Sequence, residues 1–403
     1  MPTQTQVPKS KRLEQIPPYL FARIDEKKAI AISKGVDIIN MGIGDPDMPT
    51  FSPIIDSMQA AVMDPKTHDY PPYTGTLEYR KAVCKWTAQR FGIQEFDPVS
   101  ECLGTIGSKE AIHNIFLAYV DPGDYTLIPD PGYPVYNTGT IFAGGTPYKM
   151  PLLKENNFLP DLKAIPKDIA KKAKLMFLNY PNNPTSAIAP VEFFEEAVAF
   201  CKENNILLCH DMAYSEINFD NYKVPSIFNV KGAEDIAIEF HSFSKSYNMT
   251  GWRAGWVLGW APAIQALSQV KTNIDSGIFK AIQKACLTAL EIEQKVIDQR
   301  NSIYDARRKA IVKGLRSLGC DIDAPKSSMF VWAPIPNSFK SSADFCEKLL
   351  DDCGIVVSPG NAFGEYGEGY FRIAMTTDVE RVELAFSRMK EAGIKWQTVE
   401  TLS

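Results

Sequence analysis

Between residues 124 and 240, short apolar runs alternate with stretches of helical spacing: Tyr125–Ile128, Thr146–Met150, Leu175–Asn179, a helix over Val191–Asn204, then Ile206–Cys209 and Ile236–Phe240. Runs that are apolar nearly throughout predict strands buried on both faces, so the chain reads as α/β, with a mostly parallel central sheet and helices on both faces. Ligands of such sheets gather beyond the carboxyl ends of the strands. Polar residues cluster at four of those ends: Asp130-Pro-Gly-Tyr133-Pro, Asn179-Tyr-Pro-Asn-Asn183-Pro-Thr, His210-Asp211-Met-Ala-Tyr214, and the loop that holds Lys245.

Lys245 is bracketed by Ser242, Ser244 and Ser246, with Arg253 eight residues on. An amine among hydroxyls beside a guanidinium suits a Schiff base with an aldehyde cofactor whose phosphate is held by Ser242, Ser244 and Arg253. Arg253 also favours the neutral, nucleophilic amine. A solvated surface loop is the plain alternative. Against it stand Phe243, Tyr247, Trp252 and Trp256, too much aromatic surface to leave in water.

Other segments supply candidate ligands. Gly42-Ile-Gly44 allows close backbone approach to a ligand or merely a tight turn. The proline-stiffened loop His68–Gly75 presents Tyr70 and Tyr73, whose hydroxyls can meet an anion or simply pack. Gly107-Ser108-Lys109 opens an amphipathic helix, with Ser108 as its expected cap and the free N–H groups as an anion site. Asp211 ends an apolar strand, where a carboxylate is poorly solvated unless it meets a cation or serves as a turn residue. Arg372 lies inside the apolar run Tyr370–Ala374, so a bidentate carboxylate is expected there: either a ligand's or that of Glu365 or Glu368.

The 403 residues are 45% hydrophobic, enough for a full core, and carry a net charge of −5 without the basic footprint that nucleic-acid binding requires. No apolar run approaches membrane-spanning length, and the eight cysteines form no CxxC pair, so buried free thiols and a cytoplasmic location are expected. A long helical stretch over 262–318 leads to a smaller α+β unit, giving expected limits of 1–44, 45–300 and 301–403.

Ser242-Phe-Ser-Lys245 followed by Asn248-Met-Thr-Gly251-Trp-Arg253-Ala-Gly255 resembles the lysine signature of fold-type I, pyridoxal-phosphate-dependent aminotransferases. The likeness spans about residues 15–395, and its finer pattern, Leu178–Thr185, His241–Arg253 and Tyr19-Leu-Phe, resembles bacterial LL-diaminopimelate aminotransferases. It implies pyridoxal 5′-phosphate as cofactor, a small domain that includes the N-terminal segment, and a homodimer with shared sites in which Tyr70 reaches the neighbour's cofactor phosphate. It further implies that the turn of Gly107, Ser108 and Lys109 holds the phosphate and that Tyr133 stacks on the ring. Asn183 and Tyr214 would bond the ring's phenolic oxygen and Asp211 its nitrogen. Lys245 would be the catalytic amine and Arg372 the clamp for the substrate carboxylate, with Gly44, Tyr19, Tyr73 and Asn183 also at the substrate. Ser186 stands where the family commonly has glycine, which leaves the role of Asn183 intact and the turn's geometry open. The implied reaction moves an amino group from an amino acid to a 2-oxo acid, LL-diaminopimelate to 2-oxoglutarate first. Alanine or aspartate transamination, a carbon–sulfur β-lyase and a non-catalytic regulator are the alternatives.

Overall fold

A computed structural model describes residues 7–16 and 20–396. Seven strands make the central sheet: β1 (Cys102–Thr105), β2 (Tyr125–Asp130), β3 (Thr146–Pro151), β4 (Ala173–Asn179), β5 (Leu207–Asp211), β6 (Ala237–Ser242) and β7 (Gly255–Gly259). They lie in the order β1-β7-β6-β5-β4-β2-β3. Neighbours are parallel except around β7, which runs antiparallel to both β6 and β1. The α/β reading with a mostly parallel sheet is therefore correct.

Side-chain alternation along β4 shows why both faces are covered. Leu175 and Phe177 pack with Ile112, Ile115 and Phe116 of the helix Ser108–Tyr119, whereas Met176 and Leu178 pack with Phe193, Phe194 and Ala197 of the helix Val191–Asn204. With successive residues buried on opposite faces, a polar residue is tolerated only near a strand end. The ladder nonetheless runs on past the apolar residues, to Asp211 in β5 and Ser242 in β6, because backbone pairing does not depend on side-chain polarity. Register places Asn179 opposite Asp211 and Asp211 opposite Phe240, so these ends lie level.

A smaller unit is built from both chain ends. Ile39–Asn40 pairs in parallel with Ile355–Val356, and Ser358–Pro359, Tyr370–Ala374 and Phe330–Pro334 form an antiparallel sheet in that order. Ile39 and Met41 share one core with Phe330, Phe345, Phe371 and Val382. The expected single helical stretch over 262–318 is in fact three helices, Ala261–Thr272, Lys280–Leu290 and Gln294–Ser317. Gly277, at φ +84°, lies in the first break, a backbone state no helix interior accepts. Residue 300 falls inside the third helix.

All eight cysteines are free and buried, and burial raises the thiols of Cys102, Cys209 and Cys286 well above the usual range. Among the described residues no helix is long and apolar enough to cross a membrane.

Candidate active site

A cleft of about 390 Å³ opens between the carboxyl ends of the sheet and the smaller unit. Its floor is Asp211, only 4% exposed. One carboxylate oxygen accepts from the Tyr136 hydroxyl at 2.7 Å, while the other, Oδ1, is buried without a hydrogen-bond partner. Burial raises the Asp211 pKa to about 6, against the opposing hydrogen bond from Tyr136. Asn179, level with it on β4, donates to the Asp211 carbonyl at 2.8 Å and accepts from the Asn183 backbone N–H at 2.8 Å, which draws the Asn183 loop to the same end of the sheet.

Lys245 enters from the end of β6. The Ser242 hydroxyl accepts from the Ser244 N–H at 3.1 Å and caps the one-turn helix Phe243–Ser246, which carries the lysine. Of the four aromatic residues expected to be covered, Phe243, Tyr247 and Trp256 are buried beneath it and Trp252 is half-buried. Arg300, on the helix Gln294–Ser317, donates to the carbonyls of Lys245 at 3.0 Å and of Ser246, fixing the turn from behind. The lysine Nζ donates to the Gly44 carbonyl at 2.8 Å. Burial lowers its pKa to about 8; Asp45 opposes that shift, and Arg372 and Arg253 add to it.

The rim near Lys245 is made by Ser108, Lys109, Ser242, Ser244, Thr250 and Arg253. Ser108 is not the helix cap. Gly107 takes that position at φ 72° and ψ 160°, which only glycine adopts without strain, and Ser108 is the first helical residue. Gly107 does not line the cleft, yet a Cβ there would lie 2.3 Å from Arg253 Nη2, so its bareness admits the guanidinium. Arg253 is itself in the left-handed region at φ 56° and donates to the Thr250 carbonyl at 2.8 Å.

Arg372, 5% exposed, faces the floor from the smaller unit. Its guanidinium donates to Asn183 Oδ1 at 2.8 Å and to the Gly42 carbonyl at 2.9 Å, and lies 4.2 Å from the ring centre of Phe330 and 4.6 Å from that of Phe363. The two glutamates near it in sequence are engaged elsewhere, Glu365 with Lys149 and Glu368 with Ser342. A Cβ on Gly44 would lie 2.5 Å from the Phe330 ring, so glycine is what lets this backbone approach. Ser186 holds the left-handed turn at φ 57°, and its hydroxyl donates to the Phe330 carbonyl at 2.8 Å, which settles the geometry left open at this position.

The structure thus gathers Gly44, Ser108, Lys109, Tyr133, Asn183, Asp211, Tyr214, Ser242, Ser244, Lys245, Arg253 and Arg372 around one cleft. Tyr70, 82% exposed, and Tyr73 do not line the cleft of their own chain, and Tyr19 lies outside the described residues. Sequence reasoning did not find Tyr136, Phe330, Ser358 or Phe363, and it marked Asn179 only as the first residue of a strand-end cluster, without a role. Ser358, directly after an apolar strand, carried the same strand-end signal as Asp211; an aromatic residue in an apolar run carries none.

Pyridoxal phosphate fits this donor set. The buried, unpartnered Asp211 Oδ1 suits a protonated ring nitrogen, the buried Lys245 amine suits an aldehyde, and the helix N-terminus with hydroxyls and Arg253 suits a phosphate.

The family model for aminotransferase class I and II matches residues 36–389. Over 386 residues the chain is 58% identical to the LL-diaminopimelate aminotransferase of Gloeobacter violaceus, covering 96% of this chain and 98% of that one. It is also 58% identical to LL-diaminopimelate aminotransferase 2 of Trichormus variabilis, over 96% and 99% of the two chains. Among solved structures, apo-BacF from Bacillus subtilis superposes with a TM-score of 0.94 at 33% identity, covering 98% of this chain and all of that one. A Thermus thermophilus aspartate aminotransferase mutant superposes at 0.90 and 26% identity, over 96% and 100%. With the family model matching residues 36–389 and relatives aligned over 96% of the chain, the protein belongs to the class I and II aminotransferases and is a pyridoxal-phosphate-dependent enzyme.

Proposed function

We propose that this enzyme transfers an amino group from LL-diaminopimelate to 2-oxoglutarate in lysine biosynthesis, as a cytoplasmic homodimer. The observation that supports the chemistry is the pairing in one cleft of a buried carboxylate oxygen without a partner, on Asp211, with a buried lysine amine whose pKa is lowered to about 8. The substrate reading is supported by the near-full-length likeness to enzymes named for it.

When bound, pyridoxal phosphate supplies an aldehyde that accepts the amino group and a ring that draws electrons from the substrate α-carbon. The residues do the rest. Asp211 would hold a proton on the ring nitrogen, and the pyridinium cation would in turn favour the charged carboxylate despite its burial. Ser108, Lys109, Ser242, Ser244, Arg253 and the N–H groups after Gly107 bind the phosphate. Tyr133 covers one face of the ring, and Asn183 and Tyr214 orient its phenolic oxygen. Arg372 would grip the substrate α-carboxylate, its guanidinium held in place against the rings of Phe330 and Phe363. Gly44 leaves room for the substrate. Lys245, its pKa lowered by burial to about 8 so that more neutral amine is present than in a free lysine, would move the proton between the substrate α-carbon and the cofactor's C4′. Tyr70, exposed on its own subunit, reaches the neighbour's cofactor phosphate, and Tyr73 and Tyr19 contact the substrate.

Spectral conversion of the bound cofactor with LL-diaminopimelate, alanine, aspartate and cystathionine, side by side, tests the assignment. LL-diaminopimelate is expected to convert it at the highest kcat/KM, with 2-oxoglutarate restoring it. Faster conversion by alanine or aspartate would overturn the substrate, and release of pyruvate and ammonia from cystathionine would make the enzyme a lyase.

A further inference from the structure

Lys271 is fully buried, 0% exposed, and the chemistry above makes no use of it. Its ammonium donates to both carboxylate oxygens of Asp275 at 2.7 Å and lies 3.4 Å from Glu110 Oε2. That same Glu110 oxygen accepts from the Ile106 N–H at 3.0 Å, and the other accepts from Asn114. Asp275 Oδ1 in turn accepts from the Gly277 N–H at 2.7 Å. Gly277 lies against the tyrosine loop, where a Cβ would stand 3.0 Å from the Pro72 carbonyl and 3.3 Å from Tyr73 Cα.

One ammonium therefore ties two segments together: the turn Ile106-Gly107-Ser108 that opens the helix Ser108–Tyr119, and the break that backs the Pro71–Tyr73 loop. A buried lysine between carboxylates is a poor way to gain stability, since well-packed apolar residues would serve as well or better. What it does supply is direction, because each of its acceptors also holds a backbone N–H. We propose that Lys271 is a positioning residue for the cofactor phosphate: by holding Glu110, it sets the backbone of the Ile106–Ser108 turn that receives the anion. The inference rests on the reading of that turn as the phosphate site.

Titrating the apo-protein with pyridoxal phosphate, and with pyridoxal, which lacks the phosphate, separates this role from a general effect on the site. Lys271→Met and Glu110→Ala are each expected to raise the dissociation constant for pyridoxal phosphate about tenfold, the size typical of losing a contact that orients a ligating group, and to leave that for pyridoxal unchanged. Lys271→Arg should retain most of the affinity. Glu110 has a side chain 17% exposed, so Glu110→Ala decides the matter if Lys271→Met does not fold. Equal losses for both compounds, or none for either, in folded variants overturn the proposal. A wild-type protein that binds pyridoxal phosphate no better than pyridoxal would instead overturn the reading of the turn.

Discussion

Asp211, with one carboxylate oxygen bonded by Tyr136 and the other buried without a hydrogen-bond partner, is held in the cleft at a cost to the stability of the apo-protein. The folded chain holds the Asp211 proton up to a pH of about 6, whereas the unfolded chain gives it up near the usual 3.8. Its ionisation therefore withdraws stability as pH rises from the lower value through the higher one, by about 2–3 kcal/mol when complete. Asp211→Asn in the apo-protein is expected to be more stable than wild type by about that amount at pH 7.5, with the gap closing toward pH 4, and to bind the cofactor more weakly. Thermal melts at both pH values check it; a less stable variant at pH 7.5 would contradict the assignment. At this scale Asp211 was legible as a carboxylate ending an apolar strand, and Lys245 as an amine among hydroxyls in the loop that follows one. Tyr136 was not: its hydroxyl meets a carboxylate 75 residues away, a contact that exists only once helix and sheet have packed.

The loop after β4 shows how one element joins the two halves of the cleft. Asn183 reaches Arg372 and Ser186 reaches the Phe330 carbonyl, so the strand that carries Phe330 is bonded to the end of the central sheet. Ser186 bears a left-handed backbone that costs a side chain about 1–2 kcal/mol relative to glycine, and its hydroxyl bond contributes a similar amount. Ser186→Gly is thus expected to be nearly neutral in stability, because relief and loss offset each other. Ser186→Ala keeps the strained backbone without the bond and should destabilise by about 1–3 kcal/mol, measured by denaturant unfolding. Elements themselves were readable where the apolar pattern was long, as over Val191–Asn204, which matches the helix residue for residue. The stretch from 262 was read as one helix because its periodicity persists on either side of Gly277, and a pause in direction leaves no mark on periodicity.

At the scale of the molecule, the cleft is assembled from segments more than 300 residues apart, Gly42–Gly44 and Ser358–Arg372 meeting above Asp211 and Lys245. The parallel sheet could be inferred from local alternation, but this closure came only from the family resemblance, since short strands such as Ile39–Asn40 carry too little pattern to declare their partner. The proposed dimer makes a sharp prediction. Tyr70→Ala and Lys245→Ala proteins should each be nearly inactive, whereas an equimolar mixture, denatured and refolded together, should recover about a quarter of wild-type turnover, because half the dimers are hybrids and each hybrid has one intact site. No recovery, with dimers shown by sedimentation, would place Tyr70 outside the neighbour's site. The sulfur inventory adds a last consequence. Every thiol is inside the fold, with Cys84, Cys102 and Cys286 in one core, Cys201 and Cys209 on opposite faces of the sheet, and Cys320, Cys346 and Cys353 in the smaller unit. Alkylation must then wait for the chain to breathe, and the order in which the eight sites take up iodoacetamide, read by peptide mass, becomes a clock for which half loosens first.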